Sequence, residues 1–286
     1  MGVELCARSA TAQKMYETAS EILGYDLLRL CSEGPQEQLN RTEHAQPALF
    51  VHSMAVLRTL EEEEEQFWEN VIGVAGLSLG EYTAVAAAGG LSFEDGVRLV
   101  QLRGRAMQAA ADSVDSAMAS ILGLDASTVE AICNEVSSDE CFAIPANYLC
   151  PGNIVISGHT AAVIEAQQRA EEAGAMKTVR LAVAGAFHTP LMQSAVSKLV
   201  RGLEAVEFHA PRVPVVSNVD AAPHLAPQEI RDLLARQVVE PVQWEECLRY
   251  LINQEPDEFL EIGAGRVLAG TLKRINRKAA CRSIGG

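Results

Sequence analysis

The sequence predicts an α/β fold in two parts: a large domain with a mostly parallel sheet and flanking helices, and a small βαββαβ subdomain inserted in it. Three observations carry this reading. A short run bearing Val and Ile, Val71 to Leu77, is followed at once by a small-residue helical stretch, as when a buried parallel strand feeds its crossover helix. The stretch 115–184 has a rhythm of its own, with strand-length and helix-length segments in the order βαββαβ, which describes a split ferredoxin-like unit. Beyond it, short apolar runs again alternate with helical segments, the pattern of βα repeats. The expected boundaries are 1–114 and 185–286 for the large domain and 115–184 for the insert.

Taken in order, the first 60 residues read as helices. Met15, Ile22 and Leu23 recur at helical spacing, and Gln46 to Leu60 is a second apolar-periodic run. The five acids Glu61 to Glu65 fit a solvated turn or helix end. Val71 to Leu77 is too short for a helix and reads as a strand, with Glu81 to Ala88 as the helix behind it. Phe93 to Ala111 reads as a helix with Ser92 as N-cap and Asp95 in its first turn. In the insert, strands are expected over 117–124, 142–148, 154–157 and 176–183, and helices over 126–136 and 160–173, with a turn at Pro151-Gly152-Asn153. In the last third, 213–217 and 258–262 are candidate strands, and 227–237 and 267–276 candidate helices.

Composition narrows the function classes. The chain has 286 residues, 23 Lys+Arg and 38 Asp+Glu, a net charge of −15, 48% apolar and 21% charged residues. Such usage suits a globular chain and excludes a disordered one. The acidic balance argues against a nucleic-acid partner, since phosphate backbones are gripped by net basic surface. Seven widely spaced cysteines without a CxxC fit neither a disulfide framework nor a zinc site, and point to a reducing compartment. No apolar stretch is long enough to span a bilayer. The N-terminus carries no signal core and no long Arg/Ser-rich presequence.

Gly76-Leu77-Ser78-Leu79-Gly80 matches G-x-S-x-G. The pattern alone is common, but here a strand leads in, Ser78 sits at the turn and a helix leaves, which is what a nucleophile elbow requires. At the helix N-terminus, positive partial charge favours a developing anion. The competing reading is a tight turn with a capping serine. A serine nucleophile needs a base. Among six histidines, His188 follows an apolar strand and the small-residue loop Ala184-Gly185-Ala186-Phe187; a purely structural His stays open at this point. No Asp stands in the Ser…Asp…His order of α/β-hydrolases.

Here the sequence resembles the malonyl-CoA:acyl carrier protein transacylases over nearly its whole length. The resemblance rests on Gln46-Pro47-Ala48-Leu49, Gly76 to Thr83, Leu102-Arg103-Gly104, Gly185 to His188, Ser217-Asn218-Val219-Asp220, Pro241-Val242-Gln243-Trp244 and Glu261-Ile262-Gly263, in family order and spacing. It implies an α/β-hydrolase-like core and a ping-pong reaction in type II fatty acid synthesis. Ser78 would take the malonyl group from malonyl-CoA as an ester, and the phosphopantetheine thiol of acyl carrier protein would then receive it. His188 would serve as base and acid, oriented by the backbone carbonyl of Gln237. Arg103 would bind the malonyl carboxylate, for which a guanidinium fork is suited; without the resemblance it would read as a surface helix arginine. Gln46 would line the acyl pocket, Phe187 would narrow it beside the malonyl α-carbon, and the Leu79 N–H would be an oxyanion donor. No metal or redox cofactor is implied, and CoA enters as part of a substrate.

Two departures from the family pattern stand out. Leu77 occupies a position where many relatives carry His or Gln, a feature that plastid-like members share; the combination of Gly76 to Thr83 with Asn147 to Asn153 looks most like the plant and algal plastid versions, which implies the plastid stroma. The family also opens with a strand and a Gly-Gln-Gly-x-Gln loop, and this chain starts after that point. The expectation is therefore a fragment or incomplete gene product, with one oxyanion donor fewer and an unpaired edge in the core sheet. Finally, Arg266, Lys273, Arg274, Arg277, Lys278 and Arg282 crowd the last 21 residues without an acid. Such a face would steer an acidic carrier protein, or be simply a solvated helix end. Alternative functions are a serine thioesterase or esterase, disfavoured by Arg103 and the absent Asp, and an inactive carrier-protein-binding homologue, disfavoured by the joint presence of Ser78, Arg103 and His188.

Overall fold

The computed structural model describes residues 1–285. The chain opens with helices α1 (Val3–Arg8), α2 (Ala10–Leu23), α3 (Leu27–Glu33), α4 (Gln36–Asn40) and α5 (Thr42–Glu63). The apolar spacing in α2 buries Ala12, Tyr16, Ala19 and Leu23 against α5. Buried residues lie on most faces of α5, as expected of a helix packed on several neighbours. The acid run ends α5, with Glu61 bonded to Arg58 and Trp68.

Strand β1 is only Val74–Ala75, where the sequence predicts 71–77. The reason is local. The chain arrives from a 3-10 turn at Phe67–Asn70 and, among the described residues, finds a parallel partner only in β6 (Val215–Val216). It then turns away at Gly76, where an added Cβ would lie 2.0 Å from the Gly80 backbone. Helix α6 (Leu79–Ala87) starts at that turn, and α7 (Phe93–Ala111) follows, with Ser92 Oγ accepting the Asp95 N–H as the cap.

The segment that follows is β2 (Ser116–Leu122), α8 (Ala126–Val136), β3 (Ala143–Cys150), β4 (Asn153–His159), α9 (Thr160–Glu172) and β5 (Lys177–Arg180). Its sheet is antiparallel with order β3-β4-β2-β5. Ala119, Ile121, Ile154 and Ile156 on its strands and Val129, Val163 and Ala166 on its helices form a core separate from that of the α5–α7 layer.

The remaining chain adds α10 (Gln193–Glu204), β6, β7 (Pro223–His224), α11 (Pro227–Arg236), α12 (Trp244–Ile252), β8 (Phe259–Ile262), α13 (Val267–Ile275) and β9 (Cys281–Ile284). Helices α10 and α12 are not among the sequence expectations. Both are strongly amphipathic and bury one stripe, Leu199 and Leu203 in α10 and Trp244, Leu248 and Leu251 in α12. Among the described residues the large part holds two parallel pairings, β1 with β6 and β8 with β9.

The close approach at the elbow makes a prediction. Gly76→Ala must displace backbone and should destabilise by about 2 kcal/mol or more. Gly80→Ala meets nothing within 4 Å and should be neutral or stabilise by up to about 1 kcal/mol. Urea unfolding of the two variants checks the contrast.

Candidate active site

The nucleophile candidate lies on a strained turn. Ser78 has φ 51° and ψ −104°, a region that non-glycine residues avoid. Its neighbours hold it there. The Ser78 N–H donates to Asn218 Oδ1 (2.7 Å), and Asn218 Nδ2 donates to the Gly76 carbonyl (2.9 Å). One amide therefore clamps both sides of the turn. The Ser78 side chain makes no capping bond to α6, so the capping reading fails. Its Oγ lies 2.8 Å from His188 Nε2.

His188 is also in the left-handed region, with φ 61°. It is 3% exposed. Its Nδ1 lies 2.7 Å from the Gln237 carbonyl. A carbonyl only accepts, so Nδ1 carries the proton and Nε2 is left as the acceptor facing Ser78. Burial first, and the Arg103 charge second, push the imidazole pKa down to about 4. It is therefore a neutral base at pH 7. The loop that carries it is tied to the inserted sheet: Ser157 Oγ donates to the Phe187 carbonyl (2.9 Å), and the Ala186 N–H donates to Ser116 Oγ (3.1 Å). Thr189 Oγ1 closes the loop on the Ala186 carbonyl.

Arg103 lies in the core, 1% exposed, not on the helix surface. Its Nη2 donates to Ser78 Oγ (3.1 Å) and Gln237 Oε1 (3.0 Å), and its guanidinium stacks on Tyr82. Its Nε is buried with no partner, which is costly for a charged group. Burial holds its pKa below the usual guanidinium range. Gln237 is the hub. Its backbone carbonyl holds His188, its Oε1 holds Arg103, and its Nε2 donates to the Ser78 carbonyl (2.9 Å) and Glu81 Oε2 (2.7 Å).

The other sequence candidates sit around this centre. Leu79 heads α6; the Gly80 and Glu81 N–H groups donate to the Leu77 and Ser78 carbonyls, which leaves the Leu79 N–H to meet an anion. Gln46 is buried on α5; its Nε2 reaches Met107 Sδ at 3.6 Å and its Oε1 has no partner. Met107 is one turn along α7 from Arg103, and among the described residues Gln46 makes no hydrogen bond to Ser78, His188 or Arg103. Phe187 is half-buried against Met118, Ala146 and Val155 of the inserted sheet. Lys273, Arg274, Arg277 and Lys278 are all exposed at the end of α13 and beyond. Arg282 is paired with Glu258 and Arg266 is exposed.

Sequence reasoning assigned no role to Asn218 or Glu81, although both fall in quoted motifs. The signal for Glu81 was available: it is the only charged residue in α6, whose other residues are small or apolar, and a buried acid requires partners. Asn218 lies two residues after β6, but its link to Ser78 spans 140 positions and has no local signature. Ser157 and Ser116 were likewise illegible, being bonded across two cores.

A serine hydroxyl against a neutral imidazole, a helix N-terminus behind it and a buried cation beside it make an acyl-transfer site. The chain belongs to the acyl transferase domain family, whose pattern it matches over residues 1–285. It is 41% identical over 285 residues to a Drosophila melanogaster protein named "Probable malonyl-CoA-acyl carrier protein transacylase, mitochondrial", covering 96% of this chain and 75% of the relative. The solved structure of the malonyl CoA-acyl carrier protein transacylase from Coxiella burnetii superposes with a TM-score of 0.95 at 36% identity, covering 100% of this chain and 89% of that one. A type II polyketide synthase acyl-carrier protein complexed with its malonyl-transacylase gives a TM-score of 0.94 at 38% identity, covering 100% and 91%.

The histidine environment is directly testable. Nitrogen NMR of labelled histidine should show His188 as the neutral Nδ1–H tautomer at pH 7, protonating only toward pH 4. Because the folded pKa lies below the ordinary imidazole value of 6.5, protonation favours the unfolded chain, and this contribution to stability is lost as pH falls from about 6.5 toward 4. A midpoint near 6.5 would contradict the burial argument.

Proposed function

We propose that this chain transfers a malonyl group from malonyl-CoA to the phosphopantetheine thiol of acyl carrier protein, through a malonyl-serine ester. The observation that carries the reading is the convergence of Ser78, His188 and Arg103, with one guanidinium nitrogen buried and unpartnered. In the first half-reaction, Ser78 Oγ attacks the thioester carbonyl as His188 Nε2 takes its proton. The tetrahedral oxyanion meets the Leu79 N–H at the start of α6. Collapse breaks the C–S bond, and His188 returns the proton to the departing CoA thiolate. In the second half, His188 takes the carrier-protein thiol proton, sulfur attacks the ester carbonyl, and Ser78 Oγ leaves and is reprotonated. No metal or redox cofactor enters these steps.

Malonyl selection falls to Arg103. Its Nε is buried without a partner; it donates and suits a carboxylate. Phe187 closes the pocket beside the α-carbon. The exposed cations Lys273, Arg274, Arg277 and Lys278 offer an acidic carrier protein a landing face on an otherwise acidic chain. The compartment is proposed to be the plastid stroma on the Leu77 and Asn147 to Asn153 motifs; the relatives named above are mitochondrial and bacterial. No helix among the described residues is long and apolar enough to cross a membrane.

Intact-protein mass spectrometry after brief mixing with malonyl-CoA tests the reading. Wild type should carry one malonyl adduct and Ser78→Ala none. Arg103→Ala should slow malonylation about 10- to 100-fold relative to acetylation, the range for losing a charge-assisted hydrogen bond. Equal labelling by acetyl-CoA in wild type, or an adduct on Ser78→Ala, would overturn it.

A further inference from the structure

We infer that Glu81 is a positioning residue for acyl selection: its buried carboxyl fixes the Gln237 amide, and that amide aims Arg103 at the acyl pocket beside Ser78. The inference rests on the malonyl-transfer reading and concerns a residue outside its chemical steps. Glu81 is 1% exposed on α6. Its Oε2 accepts from the Asn218 N–H (3.0 Å) and from Gln237 Nε2 (2.7 Å). Among the described residues no ion pair joins it to Arg103; the two charges meet only through Gln237.

The geometry has a directional consequence. A glutamine amide has one donating and one accepting end. With an obligate acceptor at Glu81 and another at the Ser78 carbonyl, the NH2 end must face them. The Oε1 end is then turned to Arg103 Nη2, 3.0 Å away. The opposite orientation would set NH2 against a guanidinium and oxygen against a carboxyl oxygen. Glu81 thus selects the orientation that draws the guanidinium toward Ser78 and leaves Nε unpartnered. Burial pushes the Glu81 carboxyl up to about 7. Protonation does not undo the arrangement, because Oε2 still faces two donors while the other oxygen can carry the proton.

The claim distinguishes Glu81 from a merely structural buried acid. The readout is the ratio of kcat/KM for malonyl-CoA to that for acetyl-CoA, with the wild-type malonyl adduct measured alongside. Glu81→Leu removes the acceptor at similar size. It should lower the ratio about tenfold, with the loss mainly in KM for malonyl-CoA, since tenfold is the scale of one hydrogen bond. Glu81→Gln keeps an acceptor at that place and should recover most of the ratio. Equal losses for both thioesters, or no recovery in Glu81→Gln, would overturn the proposal. Should Glu81→Leu fail to fold, Gln237→Ala serves, because it cuts the relay and keeps the backbone carbonyl that holds His188; an unchanged ratio there would overturn the proposal as well. A wild type that forms no malonyl adduct would instead contradict the malonyl-transfer reading itself.

Discussion

The site depends on keeping a guanidinium and a carboxyl group in the core without letting them pair directly. Removing a carboxylate and a guanidinium from water costs several kcal/mol each, and an ion pair repays that only with very good geometry. Here Arg103 and Glu81 are separated by the Gln237 amide, which satisfies part of each. A direct pair would neutralise the arginine and leave little attraction for an incoming carboxylate. The amide bridge keeps the charge available beside Ser78 and leaves the buried guanidinium Nε without a partner. The same residue orients His188 through its backbone carbonyl, so imidazole and guanidinium are positioned from one point on the chain.

Two strained backbones face each other across this hub. Non-glycine residues at positive φ typically cost about 1–3 kcal/mol each, and both Ser78 and His188 are such residues. Each is held by bonds from distant chain segments. Asn218 holds the Ser78 turn from the end of β6. Ser116 and Ser157 hold the His188 loop from the inserted sheet. The insert therefore contributes to the site directly. Its strands β2 and β4 supply hydroxyls that fix the loop carrying His188.

Much of this was legible in the sequence where the determinants are local. The elbow followed from G-x-S-x-G between a strand and a helix, α7 from its Ser92 cap and spacing, and the insert from its alternation of short segments. Strand β1 came out shorter than the apolar run suggests, because apolarity persists past the point where Gly76 forces the turn. Helices α10 and α12 went unseen although their apolar stripes are clear. For the site, Ser78, His188 and the Gln237 carbonyl lie together as the motifs implied. What could not be read was the network behind them, since Asn218, Glu81 and the two serines act across separations that leave no periodic trace. Arg103 shows the limit from the other side: helical spacing alone suits a surface arginine, and only the tertiary structure buries it.

The central claim is that the unmatched guanidinium nitrogen of Arg103 is the seat of the malonyl carboxylate. A crystal structure of the Ser78 malonyl-enzyme, trapped by rapid cooling after soaking with malonyl-CoA, tests it most directly. The free carboxylate should lie within hydrogen-bonding distance of Arg103 Nε, with Gln237 Oε1 still on Nη2. A malonyl carboxylate turned to solvent, with Arg103 Nε still unpartnered, would contradict it.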